Sequence, residues 1–185
     1  MSTPTTPTAT DFARPAPAPR LEQAAAALRE HGFAVELLDD AAAARHRVGE
    51  LIPAGVSVLT GASETLRLSG IEEDLNACGR YDAIRPRVLA MDRATEGDGI
   101  RRLISAPDVV VGSVAAVTET GSLVVASASG SQLPAYSGGA GRAIWIVGAQ
   151  KVVPDLPTAM RRLEEHAEPR PGRVTVLLLR QAIGF

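Results

Sequence analysis

The apolar and polar positions along this chain alternate between helical and strand-like patterns. Leu21 to Glu30 is a run of strong helix formers, and Gly32 stops it. Phe33 to Leu38 reads as a strand. Asp39 or Asp40 can cap a helix from about Ala41 to Ile52, which Pro53 and Gly55 end. Val56 to Thr60 is a short β-branched run leading into Gly61. Ser63 can cap a short helix through Leu68, Gly70 is a stop, and Ile71 to Cys78 adds a helical turn or two. Tyr81 to Met91 reads as part loop and part strand, and Glu96 to Ile104 as helix. Asp108 to Gly112 is a continuous apolar run, which suits a strand covered on both faces. Leu123 to Ala126, Ala143 to Gly148 and Arg173 to Leu179 read as further strands, and Asp155 to about Glu165 as a helix with proline in its first turn.

Strands alternating with helices predict an α/β fold: a mostly parallel sheet with helices on both faces, in three layers. The pattern shows no repeat and no second boundary, so residues 21–185 read as one domain. Before it, residues 1–20 are rich in Thr, Pro and Ala, and prolines at 4, 7, 15, 17 and 19 disfavour helix and sheet. They read as a disordered tail. Without a basic stretch leading into an apolar one, they do not read as a signal peptide.

Composition narrows the classes. Apolar residues make up 45% of the 185, enough for a real core, but aromatics only 3%, leaving little stacking surface for bases. A net charge of −2 argues against a nucleic-acid binder. No stretch approaches the roughly 20 apolar residues of a membrane helix. A single cysteine, Cys78, rules out an internal disulfide, a Cys-rich zinc site or an iron–sulfur cluster, and suits the cytoplasm. Cys78 itself reads as a semi-buried small residue. His31, His46 and His166 are far apart, without metal-ligand spacing, and read as surface residues. No P-loop and no Gly-x-Ser-x-Gly elbow is present. No metal site or bound cofactor is expected.

Candidate chemistry sits where an open α/β sheet binds ligands, at the carboxyl ends of strands. One such end is Thr60-Gly61-Ala62-Ser63-Glu64-Thr65, where glycine permits close backbone approach and a helix start attracts an anion. A second runs from Gly112-Ser113 to the turn Thr118-Glu119-Thr120-Gly121, whose carboxylate could serve as nucleophile or acid–base group. The third, Ser127 to Arg142, is a long loop with Gly130, Gly138, Gly139 and Gly141. Its glycines precede a strand, so it is no dinucleotide fingerprint. Lys151, just past Gly148, could face an anion. Gly61, Ser63, Thr65, Ser113, Thr118, Thr120, Gly121, Gly130, Gly148 and Lys151 are therefore candidate ligand-binding residues, beside the plainer readings of a capped turn at Ser63 and an exposed lysine at 151. Glu119 is the candidate catalytic residue, with its turn expected to face the loop at Gly61; a solvated turn glutamate is the alternative on the residues alone.

Three stretches together resemble the LUD domain. Gly61-Ala62-Ser63-Glu64-Thr65-Leu66 with Gly70-Ile71 is similar to its "G-S-x-T-L…G-I" segment. Asp108 to Val124 resembles its "A-D-V…A-I-T-E-T-G-x-L-V" core, and Ile146 to Leu156 its "V-V-G-x-x-K-I-V-x-D-L" stretch. The closing run Arg173 to Phe185 looks like the last strand of shorter members. Two departures stand out. Gly130 is followed by Ser131-Gln132 where many members have Asn-Arg, and a Gly-Pro-Ser…Thr-Ala-Asp-Ile-Glu block of longer members is not in this sequence. The resemblance implies a fold like the NagB/RpiA/CoA-transferase superfamily. Members include lactate utilization protein C, from a system oxidising L-lactate to pyruvate with iron–sulfur partner proteins. That implies an accessory role in lactate oxidation. Two alternatives stay open: an enzyme of the CoA-transferase or sugar-phosphate type using Glu119, and a non-catalytic sensor of an anionic ligand. The superfamily often dimerises, which leaves a homodimer as an open expectation.

Overall fold

A computed structural model describes residues 12–127 and 129–166 of the chain. The expected strand Arg173–Leu179 and residues 1–11 lie outside the described residues. The helices are α1 (Ala18–Glu30), α2 (Ala41–Leu51), α3 (Glu64–Leu68), α4 (Ile71–Ala77), α5 (Ile84–Ala90), α6 (Gly97–Ser105) and α7 (Leu156–His166). The strands are β1 (Ser57–Thr60), β2 (Asp82–Ala83), β3 (Val109–Gly112), β4 (Ala116–Thr118), β5 (Leu123–Val124), β6 (Arg142–Trp145) and β7 (Val152–Val153).

The principal sheet is parallel, in the order β2-β1-β3-β6. Its centre is β3, the continuous apolar run, buried along its whole length. Its side chains alternate between two cores. Val109 and Val111 pack with Val48, Ile52, Ile71 and Leu75 of the α2–α4 side. Val110 packs with Ile84 and Ala135, beside Val88 and Leu103 of α5 and α6. A sheet covered on both faces by helices is the three-layer α/β arrangement expected. A smaller sheet, β5-β4-β7, carries an antiparallel hairpin and a parallel third strand.

Strand order positions the site. From β1 the chain passes through α3 and α4 to β2 on one side, then through α5 and α6 to β3 on the other. The winding reverses between β1 and β3, and the crevice at such a reversal is where open sheets hold ligands.

Three expectations need correction. Phe33–Leu38 is not a strand: it pairs with no strand among the described residues, and Phe33, Leu37 and Leu38 are exposed. It is anchored by the Phe33 N–H on Leu28 O at 3.1 Å, by Phe33 against Trp145 and by Glu36 bonded to Arg47. Tyr81–Met91 is mostly helix, because Pro86 falls in the first turn of α5, where a missing N–H costs nothing. Residues 12–20 are not a loose tail. Phe12 is buried against Ala116, Val153 and Ala159, Ala16 N–H donates to Ala149 O at 3.1 Å, and α1 begins with Ala18-Pro19.

Candidate functional site

Gly61 and Gly112 end β1 and β3 on either side of the reversal. Gly61 N–H donates to Val111 O at 2.8 Å, which fixes the loop against the next strand. Tyr136, from the long loop, puts its hydroxyl over both glycines. A Cβ at Gly112 would sit 1.6 Å from that oxygen, and one at Gly61 would sit 2.8 Å away. These two positions are glycine because a phenol occupies the space. The Ser113 N–H donates to the Tyr136 oxygen, and burial raises the phenol above its ordinary pKa. Edge-on to Tyr136 at 5.8 Å stands Trp145, whose Nε1–H is buried without an acceptor among the described residues. An orphaned buried donor is uncommon enough to need an explanation.

Beside this notch stands Lys151, on a helical turn (Ala149–Lys151) between β6 and β7. Its Nζ donates to Ser113 Oγ at 2.8 Å and to Val114 O at 3.0 Å. Ser113 in turn donates to Ile146 O at 2.6 Å. Burial brings the Lys151 ammonium down to about 8, helped by the charge of Arg162. Arg162, on α7, donates Nε–H to the next carbonyl, Ala115 O, at 2.9 Å, and Nη1–H to Phe12 O at 3.2 Å. Burial lowers its pKa too. Among the described residues no carboxylate pairs with either cation. Neighbouring Arg161 has Nε and Nη2 buried without a hydrogen-bond partner among the described residues. Both arginines lie over the Phe12 ring, at 5.6 and 5.5 Å, and Arg161 also feels the Asp155 charge. Lys151 and Arg162, drawn partly out of water with no carboxylate partner among the described residues, remain costly. An anionic group arriving there would relieve that cost.

The structure brings together Gly61, Ser113 and Lys151, and adds Tyr136, Trp145 and Arg162. Gly148 precedes Lys151 and accepts its N–H at 2.9 Å. Ser63 occupies the cap position of α3, but its side chain makes no capping hydrogen bond. Thr65 contributes its carbonyl to Ser69 within that helical turn. Gly130 sits in the long loop at φ 67°, its N–H on Ser127 Oγ.

The Thr118–Gly121 turn is elsewhere. It joins β4 to β5, and a Cβ at Gly121 (φ 81°) would meet the Ala27 backbone of α1 at 2.8 Å. The carbonyl of Gly121 meets His31 Nδ1 at 3.1 Å. Buried Thr118 uses its hydroxyl to close the turn, accepting from Ser122 N at 2.9 Å and meeting Thr120 Oγ1 at 2.9 Å. Val117 pairs with Val152 and Thr118 with Val153, so Glu119 leaves one end of these strands and Lys151 enters at the other. At a rise of about 3.3 Å per residue the two are separated by roughly 10 Å along the strand. Glu119 is 14% exposed, and Arg20 Nε lies 2.8 Å from its Oε1, off the line of a hydrogen bond. That charge pair ties the carboxylate to α1 rather than to the notch at Gly61.

Sequence reading missed Tyr136, Trp145 and Arg162. It also missed the clearest signal: Lys151 is the sole lysine of the chain, beside 18 arginines. A separate open cleft of about 420 Å³ lies between α2 and α4, lined by residues including Val48, Ile71, Leu75 and Tyr81. Cys78, expected to be semi-buried, is exposed at that cleft. No expected site residue lines it. Among the described residues no cluster of His, Cys, Asp or Glu could hold a metal ion, and no helix is long and apolar enough to cross a membrane.

No curated protein and no solved structure matches the chain. The family model described as the LUD domain matches residues 21–176, a span holding both strands of the reversal, the hairpin and Lys151. The chain belongs to the LUD domain family.

Proposed function

We propose that this protein is an accessory component of L-lactate utilisation that takes a small carboxylic acid at the strand-end notch. Electron-carrying centres in this reading belong to iron–sulfur partner proteins, since one cysteine cannot hold a cluster. The reading assigns the protein to the cytoplasm, where its thiol stays reduced. The observation that carries it is the pair Lys151 and Arg162: two half-buried cations on successive carbonyls, with no carboxylate among the described residues to neutralise them. Ser113 supplies a polar contact to Lys151, and Trp145, whose N–H has no acceptor among the described residues, packs on Tyr136 of the same notch. Family membership supports the lactate context.

The test is genetic. Deleting the gene should abolish or strongly slow growth on L-lactate and leave growth on sugar intact. The wild-type gene should restore growth, and a Lys151→Met copy should not. Normal growth of the deletion strain on L-lactate would refute the role.

A further inference from the structure

We propose that the Lys151 amine is a nucleophile that captures an oxo acid, a carbonyl compound bearing a carboxylate, as a Schiff base. The proposal rests on the reading of the notch as the ligand site, and adds the class of ligand and the bond formed.

The first argument is the choice of side chain. Everywhere else this chain uses arginine as its cation, as in the pairs Arg45–Asp74, Arg47–Glu36, Arg67–Glu64 and Arg87–Asp82. Arginine stays protonated at any ordinary pH, whereas lysine can lose its proton and become a nucleophile. The single lysine stands at the strand ends.

The second argument is geometric. A neutral amine has two N–H bonds and one lone pair. Lys151 has two acceptors in reach, Ser113 Oγ at 2.8 Å and Val114 O at 3.0 Å. Ser113 commits its own proton to Ile146 O, so its oxygen is free to accept. Both amine hydrogens are then held and the lone pair is left over. The surroundings bring this neutral form within reach of ordinary pH. The groups facing Lys151 are Arg162 from α7, the hydroxyl of Ser113 and the carbonyl of Val114, with the Tyr136 phenol beyond Ser113. A partly buried lysine next to another cation is a known setting for amine nucleophiles.

The third argument concerns the ligand. Among the described residues Arg162 Nη2 makes no hydrogen bond, and a guanidinium with an open N–H edge suits a carboxylate. The lone pair of Nζ would add to the oxo carbon while the carbonyl electrons move to oxygen, which takes up a proton. The carbinolamine then loses that oxygen as water, with one N–H proton leaving, to give C=N. Nothing is oxidised or reduced. Such an acid is what oxidation of a 2-hydroxy acid leaves behind, so the reaction supplying this ligand would be a hydroxy-acid oxidation.

The experiment is reductive trapping on the full chain. Incubated with pyruvate and sodium borohydride, the protein should gain the mass of the acid less one oxygen atom, on the peptide holding Lys151. L-Lactate, which has no ketone or aldehyde carbonyl, should give no adduct. Trapping should rise with pH and level off above about 8. Lys151→Arg should lose the adduct while pyruvate still raises its Tm. Stabilisation of the wild type by pyruvate without an adduct on Lys151 would overturn the Schiff base and leave the notch as an anion site. Neither stabilisation nor adduct with pyruvate, glyoxylate or 2-oxobutyrate would overturn both. Labelling confined to the N-terminal amine would also overturn the proposal.

Discussion

Lys151 has a stability signature that needs no ligand. Its folded pKa is about 8, below the ordinary 10.5. Between those values the folded protein binds fewer protons than the unfolded chain, so stability rises with pH across this window. The rise is at most about 3 kcal/mol. Chemical denaturation at pH 7.5 and pH 10 should show it in the wild type, and Lys151→Met should flatten it. A Lys151→Met protein with the same pH dependence would contradict the burial and the unpaired charge. At this scale the sequence was only partly readable. Gly61, Ser113 and Lys151 were visible because glycine and polar residues followed apolar runs. Tyr136 was not, because nothing in the long loop says which side chain folds back over β1 and β3. The tie of Glu119 to α1 was invisible for a related reason: its partner Arg20 lies 99 positions earlier in the chain, and local pattern carries no trace of it.

The elements held where local chemistry and burial agreed. Asp40 caps α2, accepting from Ala43 N–H at 2.8 Å, and β3 is the buried run it promised to be. Asp40→Ala should cost about 1 kcal/mol in chemical denaturation. The Phe33–Leu38 run had the right residues for a strand, yet a strand needs a neighbour, and among the described residues this segment is held by α1 and by side chains instead. The β4–β5 turn has a structural part of its own, since Gly121 packs against α1. Gly121→Ala would force a side chain into a left-handed backbone conformation and against Ala27 at 2.8 Å. The expected loss is about 2 kcal/mol or more, since strain and overpacking act together. Ligand binding per folded molecule should remain. A Gly121→Ala protein of wild-type Tm would mean that α1 does not pack on this turn.

For the molecule as a whole, the alternation of elements was enough to give the α/β class and both helical layers. It could not give the strand order, because the reversal between β1 and β3 depends on which side each crossover takes. That reversal sets Gly61 beside Gly112 and makes the notch. The surface adds an acid dependence. Glu36, Glu64, Asp74, Asp108 and Asp155 are held below their ordinary values, mainly by hydrogen bonds from Arg47, Arg67, Arg45, Ser57 and Thr158. Their contribution is full above the ordinary 4.5 for Glu and 3.8 for Asp, and is lost as pH falls through the lower folded values. These groups are exposed, so salt should weaken the arginine-paired part of the effect. Melting curves from pH 6 to pH 3 at low and high ionic strength would check this. The central claim is that the notch at Lys151, and not the turn at Glu119, is the functional site. Titration calorimetry of pyruvate and L-lactate into the wild type, Lys151→Met and Glu119→Gln tests it most directly. The account predicts binding to the wild type and to Glu119→Gln, and at least a tenfold loss in Lys151→Met. Binding that survives in Lys151→Met and disappears in Glu119→Gln would contradict it.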